Sequence, residues 1–238
     1  MHNSSSENPL AGQAEVPFAE SHRPSTVAPR GLYAGAIKRV CDLLLAGVLL
    51  LLLLPVMVLV WAAVMAVLGS PAFYFDTRAG RFGRPMVIGK FRSMREAVGP
   101  DGQPLPDGQR LGVFGRFLRR TSLDELPQLV SVLVGDMSLI GPRPLPLRYL
   151  SRYNPRQASR LLVRPGLTGW AQVCGRNGLS WPDRLELDAR YVDVLRRWYA
   201  PVADLTIVMA TVGVVTWQGI TGRGISAAGA ATMEEFNP

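Results

Sequence analysis

Hydrophobic and polar positions divide the chain into stretches of different period. Residues 1–35 show no period: Ser, Pro, Ala and Glu predominate and Pro17, Pro24 and Pro29 interrupt the segment, so a disordered tail is expected there. No basic start leads directly into an apolar core, as it would in a secretory signal. From Leu43 to Leu68 no residue is charged, and Leu and Val dominate. About 20 such residues cross the bilayer core, which predicts a membrane helix over 36–69. Short apolar clusters punctuated by Gly80, Gly83 and Gly89 between Ala72 and Met94 predict an extended hairpin. Residues 99–110 read as a loop. Helical spacing then recurs at 113–120, 124–134, 146–160 and 183–199. The last apolar stretch, Val202 to Ile220, contains Asp204, Thr206, Thr211, Thr216 and Gln218, which favours an interfacial helix over a second crossing.

Two features modify the membrane helix. Pro55 sits near its middle, where it removes a backbone hydrogen bond and crowds the preceding turn. Both flanks are basic: Arg23, Arg30, Lys38 and Arg39 precede the run, and Arg78, Arg81, Arg84, Lys90, Arg92 and Arg95 follow it. A single crossing would put one of these clusters on the wrong face. A helix that enters, bends at Pro55 and returns keeps both on the cytoplasmic side, with its freed backbone groups satisfied inside the protein. A kinked spanning helix is the other reading. Asp42 is placed to pair with Lys38 or Arg39 at head-group level. The resulting division is a tail (1–35), a membrane helix (36–69) and a cytoplasmic domain with interfacial helices (70–238).

A net charge of +8 over 238 residues implies an anionic partner without choosing among nucleic acid, lipid head groups and nucleotides. Aromatic residues make up only 8% and do not interleave with the basic ones, which argues against nucleic acid. Cys41 and Cys174 form no metal spacing and no obvious bridge, in keeping with a reducing compartment.

Chemistry concentrates in Arg119-Arg-Thr-Ser-Leu-Asp-Glu-Leu-Pro-Gln128 and Gly135-Asp-Met-Ser-Leu-Ile-Gly-Pro-Arg-Pro144. Two adjacent carboxylates, Asp124 and Glu125, lie among Arg119, Arg120 and Arg143, as a site for a phosphate ester and a divalent cation requires. Ser122 to Glu125 also matches a capping box, which would make the acidic pair merely a helix start. The same geometry is chemically useful. A carboxylate at a helix N-terminus is expected to stay ionised, and successive residues about 100° apart can divide attack and cation holding between them. Arg143 is fixed between two prolines, which suits bidentate contact with phosphate. Lys90-Phe-Arg92 carries a weaker signal, an aromatic anchor with two cations near a membrane.

Several ordered blocks together resemble the bacterial sugar transferases that act on polyprenyl phosphate, in their small monotopic form. They are Lys38-Arg-Val-Cys-Asp42, the apolar run with its proline, Lys90-Phe-Arg-Ser-Met94, the two stretches above, and Arg164-Pro-Gly-Leu-Thr-Gly-Trp-Ala-Gln172. Thr232-Met-Glu-Glu-Phe236 is similar to the ending of small members acting on diacetylated bacillosamine. The resemblance implies a mixed α/β, mostly helical fold with a proline-broken re-entrant helix and a compact cytoplasmic domain on the bacterial inner membrane. It implies transfer of a sugar 1-phosphate from a UDP-sugar to undecaprenyl phosphate with release of UMP, at the start of a surface glycan. Carried onto this chain, Asp124 is the nucleophile that forms a covalent phosphosugar intermediate. Glu125 holds Mg²⁺, and Lys90, Arg119, Arg143 and Arg176 surround the phosphates.

Membrane lipids are expected partners and nucleic acid is not; a homodimer is left open. Departures from the family pattern are Pro71-Ala72, Asp76-Thr77-Arg78 and Cys174; none touches the acidic pair. Two other activities fit the same residues: a membrane-bound UDP-sugar phosphohydrolase, and a non-catalytic adaptor that binds anionic lipid.

Overall fold

Steps of three and four residues along the apolar run determine how it meets the rest of the chain. The computed structural model describes residue 24 and residues 26–103, 105–175, 178–221 and 235–236. The expected disorder of residues 1–23 lies outside that range. Helix α1 spans Lys38–Leu68 and continues a π-helical turn over Tyr33–Ile37. Helical structure therefore begins inside the segment whose composition reads as tail. Lys38, Asp42 and Ala46 are buried near the start of α1, and Val60 and Val64 near its end. Leu50 and Leu53 pack against the cluster that holds Ala46, while Val56 and Met57 pack against the cluster that holds Val60 and Val64. These spacings form one seam along the helix. Leu51, Leu52, Leu54, Val58 and Leu59 on the other side are exposed. Pro55 sits within α1 without ending it.

Both ends of α1 are fastened to the same body. At its start, the Arg39 guanidinium donates to the carbonyls of Val132 (2.7 Å) and Leu133 (3.1 Å). Lys38 donates to Asp204 Oδ2 at 3.0 Å, Tyr33 donates to the same oxygen at 2.6 Å, and Asp42 Oδ1 accepts the Leu139 amide at 3.1 Å. The expected Lys38–Asp42 pair is present at 3.9 Å, secondary to the Lys38–Asp204 contact. At its end, the buried Arg92 guanidinium donates to the carbonyls of Leu68, Gly69 and Ser70, satisfying acceptors that a helix end leaves open.

The expected hairpin is present as β1 (Phe73–Ala79) and β2 (Pro85–Phe91), paired antiparallel with Tyr74 opposite Lys90, Asp76 opposite Ile88 and Arg78 opposite Met86. Alternation puts these six positions on one face. On the other face Phe73 stacks on Phe91 with ring centroids 5.1 Å apart. After a short helix α2 (Asp107–Arg110) come α3 (Val113–Thr121), a 3-10 turn over Leu123–Glu125 and α4 (Gln128–Val134), close to the expected helices. Two three-residue strands, β3 (Ser138–Ile140) and β4 (Gly166–Thr168), pair in parallel.

The helix expected over 146–160 is broken. Leu147–Arg152 and Ser159–Leu162 are 3-10 turns and only Pro155–Ala158 (α5) is α-helical. Pro155 disfavours helical geometry in the residue before it. Asn154 instead takes an extended conformation and forms a capping box with Gln157. Helices α6 (Trp170–Val173), α7 (Trp181–Val194) and α8 (Ala200–Thr221) complete the fold. In α8, Val202, Leu205, Met209 and Val212 form an exposed apolar stripe, while Asp204 and Ile207 are buried. That polarity is the reverse of a helix packed on a soluble core. Both α1 with its leading turn and α8 are long and apolar enough to cross a membrane by length and composition. Near the C-terminus, Phe236 is buried among Tyr149, Tyr153 and Trp181.

Candidate active site

The acidic pair does not start a capped helix. Ser122 adopts a left-handed conformation (φ 57°) at the end of α3 and makes no side-chain cap, so the chain turns sharply where a capping box would have continued it. The turn over Leu123–Glu125 then sends the two carboxylates into different surroundings.

Glu125 faces cations. Lys90 Nζ, on β2, donates to Glu125 Oε1 at 2.8 Å. Arg143, in the loop after β3, reaches the same carboxylate with both terminal nitrogens, Nη2 to Oε1 at 2.5 Å and Nη1 to Oε2 at 3.3 Å, a fork-on-fork contact that fixes orientation. Burial alone would raise the Glu125 carboxyl, but the charges of Arg143 and Lys90 outweigh it and hold it well below the usual carboxylate range.

Asp124 is 7% exposed. Burial and the neighbouring Glu125 charge push its carboxyl up to about 6, against the pull of Lys90, Arg119 and Arg143. A helix terminus was expected to keep this group comfortably ionised; burial in a tight turn does the reverse. At neutral pH it is still mostly ionised and weakly solvated, a combination that favours nucleophilic attack.

Arg143 is positioned from behind. Arg160 donates through Nη2 to the Arg143 carbonyl at 2.6 Å and to Asp188 Oδ2 at 2.7 Å, and through Nη1 to the Tyr153 hydroxyl at 3.1 Å. Arg160 and Asp188, on α7, are almost wholly buried. The same loop is pinned to the parallel strands: Gly141 N donates to Thr168 O and Gly166 N to Pro142 O, each at 2.8 Å. A Cβ on Gly141 would lie 2.6 Å from the Arg164 carbonyl, so the Gly-Pro-Arg turn needs its glycine for this close approach.

The structure thus brings Lys90, Asp124, Glu125 and Arg143 together. Arg119 stands behind them, with its Nε donating to Ser93 Oγ at 3.0 Å. Arg176 lies outside the described residues. Lys90-Phe-Arg92, which looked like one membrane-proximal anchor, divides three ways: Lys90 to the site, Phe91 to the core and Arg92 to the end of α1.

Beside the carboxylates is a small cleft lined by Arg78, Ile88, Lys90, Gln128, Arg143 and Pro144. Sequence reasoning gave Arg78 and Gln128 no role. Arg78 counted only as flanking charge, and the signal for it was strand alternation, which puts it on the Lys90 face of the hairpin. Its Nε donates to Asp76 Oδ2 at 2.6 Å, so Asp76-Thr77-Arg78, first noted as a departure from the family pattern, orients a third cation toward the cleft. Among the described residues no group of three or more His, Cys, Asp or Glu side chains is arranged to hold a metal ion. The pair Asp124–Glu125 offers hard oxygen donors of the kind Mg²⁺ takes when phosphate oxygens complete its shell.

Comparison with known proteins finds related sequences over most of the chain. A sequence model of the family described as "Bacterial sugar transferase" covers residues 33–218. The chain is 43% identical over 201 residues to a protein of Bacillus subtilis (strain 168) named "Uncharacterized sugar transferase EpsL", covering 84% of this chain and 95% of that one. It is 36% identical over 219 residues to "Exopolysaccharide production protein ExoY" of Rhizobium meliloti (strain 1021), covering 85% of this chain and 94% of the other. It is 37% identical over 186 residues to the Escherichia coli (strain K12) "UDP-glucose:undecaprenyl-phosphate glucose-1-phosphate transferase", covering 74% of this chain and 39% of that longer protein.

Proposed function

The chain belongs to the bacterial sugar transferase family and is a transferase, and from that premise we propose that it moves a sugar 1-phosphate from a UDP-sugar to undecaprenyl phosphate and releases UMP. The observation that carries this reading is the contrast between two adjacent carboxylates. One is neutralised by a lysine and a bidentate arginine; the other is buried, with its carboxyl raised to about 6.

An Asp124 carboxylate oxygen attacks the sugar-bearing phosphorus. The new O–P bond forms as the bond from that phosphorus to the bridging oxygen breaks, and UMP leaves with the bonding pair. A phosphate oxygen of the polyprenyl acceptor then attacks the same phosphorus and displaces Asp124, regenerating the carboxylate. Splitting the transfer into two displacements lets one site serve both a soluble donor and a lipid acceptor. Lys90 and Arg143 offset charge on the phosphoryl oxygens, with Arg119 adding to the field. Arg176 is assigned to the same role from the family pattern alone. Glu125, with Asp124 beside it, would hold Mg²⁺, which when bound supplies charge neutralisation at the phosphoryl oxygens.

The membrane arrangement belongs to the same proposal. α1 enters and returns on one face of the inner membrane, with the catalytic domain on the cytoplasmic side. Support comes from the two ends of α1, both fastened to one body by Arg39, Lys38 and Arg92, and from the exposed stripe of α8. Surface-glycan assembly is the process such a product would start.

The test uses purified full-length protein in nanodiscs with undecaprenyl phosphate and a panel of UDP-sugars. UMP and a lipid-linked sugar phosphate are expected from the wild type and neither from Asp124→Asn. UMP with free sugar phosphate would instead identify a hydrolase, and normal turnover by Asp124→Asn would remove the nucleophile assignment. Thiol labelling of cysteines placed at residues 25–35 and 76–95 is expected to report the same side of the membrane. Opposite accessibility would make α1 a span.

A further inference from the structure

Gln128 is 3% exposed, yet its amide nitrogen Nε2 has no hydrogen-bond partner among the described residues. Buried polar groups are nearly always paired, because leaving a desolvated donor unmatched costs free energy in every molecule that folds. Gln128 is also the first residue of α4 and lines the cleft together with Arg78, Lys90 and Arg143. An unpaired donor on a side chain that lines a cleft whose other polar lining is wholly cationic points to a ligand rich in acceptor oxygens.

We propose that Gln128 is a substrate-binding residue whose amide donates to a non-bridging phosphate oxygen of the donor diphosphate. The assignment rests on the transferase reading for the identity of the ligand. The chemistry favours phosphate over a sugar hydroxyl, since three cations, Arg78, Lys90 and Arg143, line the cleft beside Gln128. The neutral amide adds a further donor beside the three cations. Its fixed place follows from the chain: Pro127 restricts the backbone immediately before it, and Leu129 and Val132 are fully buried in the core behind it. An unpaired donor held in this way is strain kept for a ligand, tolerable because the ligand relieves it.

Gln128→Met keeps length and volume and removes the donor. It is expected to lower kcat/KM about 10- to 100-fold, the effect of losing one hydrogen bond to a charged acceptor. In the ligand-free protein it should leave the melting temperature unchanged or raised, because an unpaired buried amide has been replaced by an apolar group. The rise in melting temperature that inorganic pyrophosphate gives the wild type should shrink in the variant. Gln128→Glu, which replaces the donor by a negative charge, should lose more activity than Gln128→Met.

If the wild type transfers no sugar phosphate from any UDP-sugar, the transferase reading fails and the pyrophosphate measurement alone decides the role of Gln128. The proposal is overturned if Gln128→Met lowers the ligand-free melting temperature by several degrees, which would reveal a structural partner. It is overturned equally if pyrophosphate does not stabilise the wild type, or if the variant matches the wild type within twofold in both readouts.

Discussion

Asp124→Asn is expected to stabilise the protein while abolishing turnover, and the size of the gain follows from the buried carboxylate. The folded protein raises the Asp124 carboxyl from 3.8 to about 6. At 1.36 kcal/mol per pH unit, ionising it in place costs the folded state about 3 kcal/mol more than ionising it in the unfolded chain. Because the folded state binds the extra proton, wild-type stability is fully present below pH 3.8 and falls as pH rises through about 6. Asparagine keeps the shape and never ionises. The variant's advantage should therefore be near zero at the acid end, open between pH 4 and 6, and level off above. At roughly 2–4 °C per kcal/mol for a domain of this size, the plateau is a rise of roughly 6–12 °C at pH 8. Melting curves of both proteins in the same nanodiscs from pH 4 to 8 measure it. Wild-type kcat/KM should rise with pH through an apparent pKa of about 6. A constant stability difference across that range, or a variant less stable than wild type at pH 8, would refute the argument that burial sets the state of Asp124.

Other positions give sharper local tests. Gly115→Ala would place a Cβ 1.9 Å from the Ser93 carbonyl oxygen; the backbone around Ser93 and Lys90 must move, so a fall in melting temperature and loss of UMP release are expected together. Asp188→Ala strands the buried Arg160 guanidinium, which should cost about 3–5 kcal/mol in denaturant unfolding. Asp188→Asn, which keeps an acceptor, should cost less.

The pattern of the chain disclosed the elements whose signal is local. The hairpin, α3, α4 and the apolar helix follow from local pattern alone. Three-residue strands carry too little periodicity to be read. β3 and β4 exist because Gly141 and Gly166 let two backbones approach closely, a non-local fact. The capping template occurs twice, at Ser122–Glu125 and at Asn154–Gln157, and only the second forms a cap. At the first, tertiary ion pairs with Lys90 and Arg143 claim the glutamate. The acidic pair was therefore visible as a candidate site, while its electrostatic asymmetry was not, because that depends on side chains 18 and 35 positions away. Gln128 stood in the motif without a role, since an unpaired donor can be recognised only once its surroundings are folded.

The seam of α1 also bears on how the chain is made. Asp42 meets the Leu139 amide 97 positions later, and Lys38 meets Asp204 166 positions later. At roughly 5–20 residues per second of translation, the second partner emerges about 8–30 s after the first. Until β2, α4 and β3 emerge the helix lacks most of the protein surface against its seam, and in the membrane arrangement proposed above lipid covers both of its sides until the domain displaces it from one. Substitutions along Ala46, Leu50, Leu53 and Val60 would then register in the yield of inserted protein before they register in the stability of the finished fold.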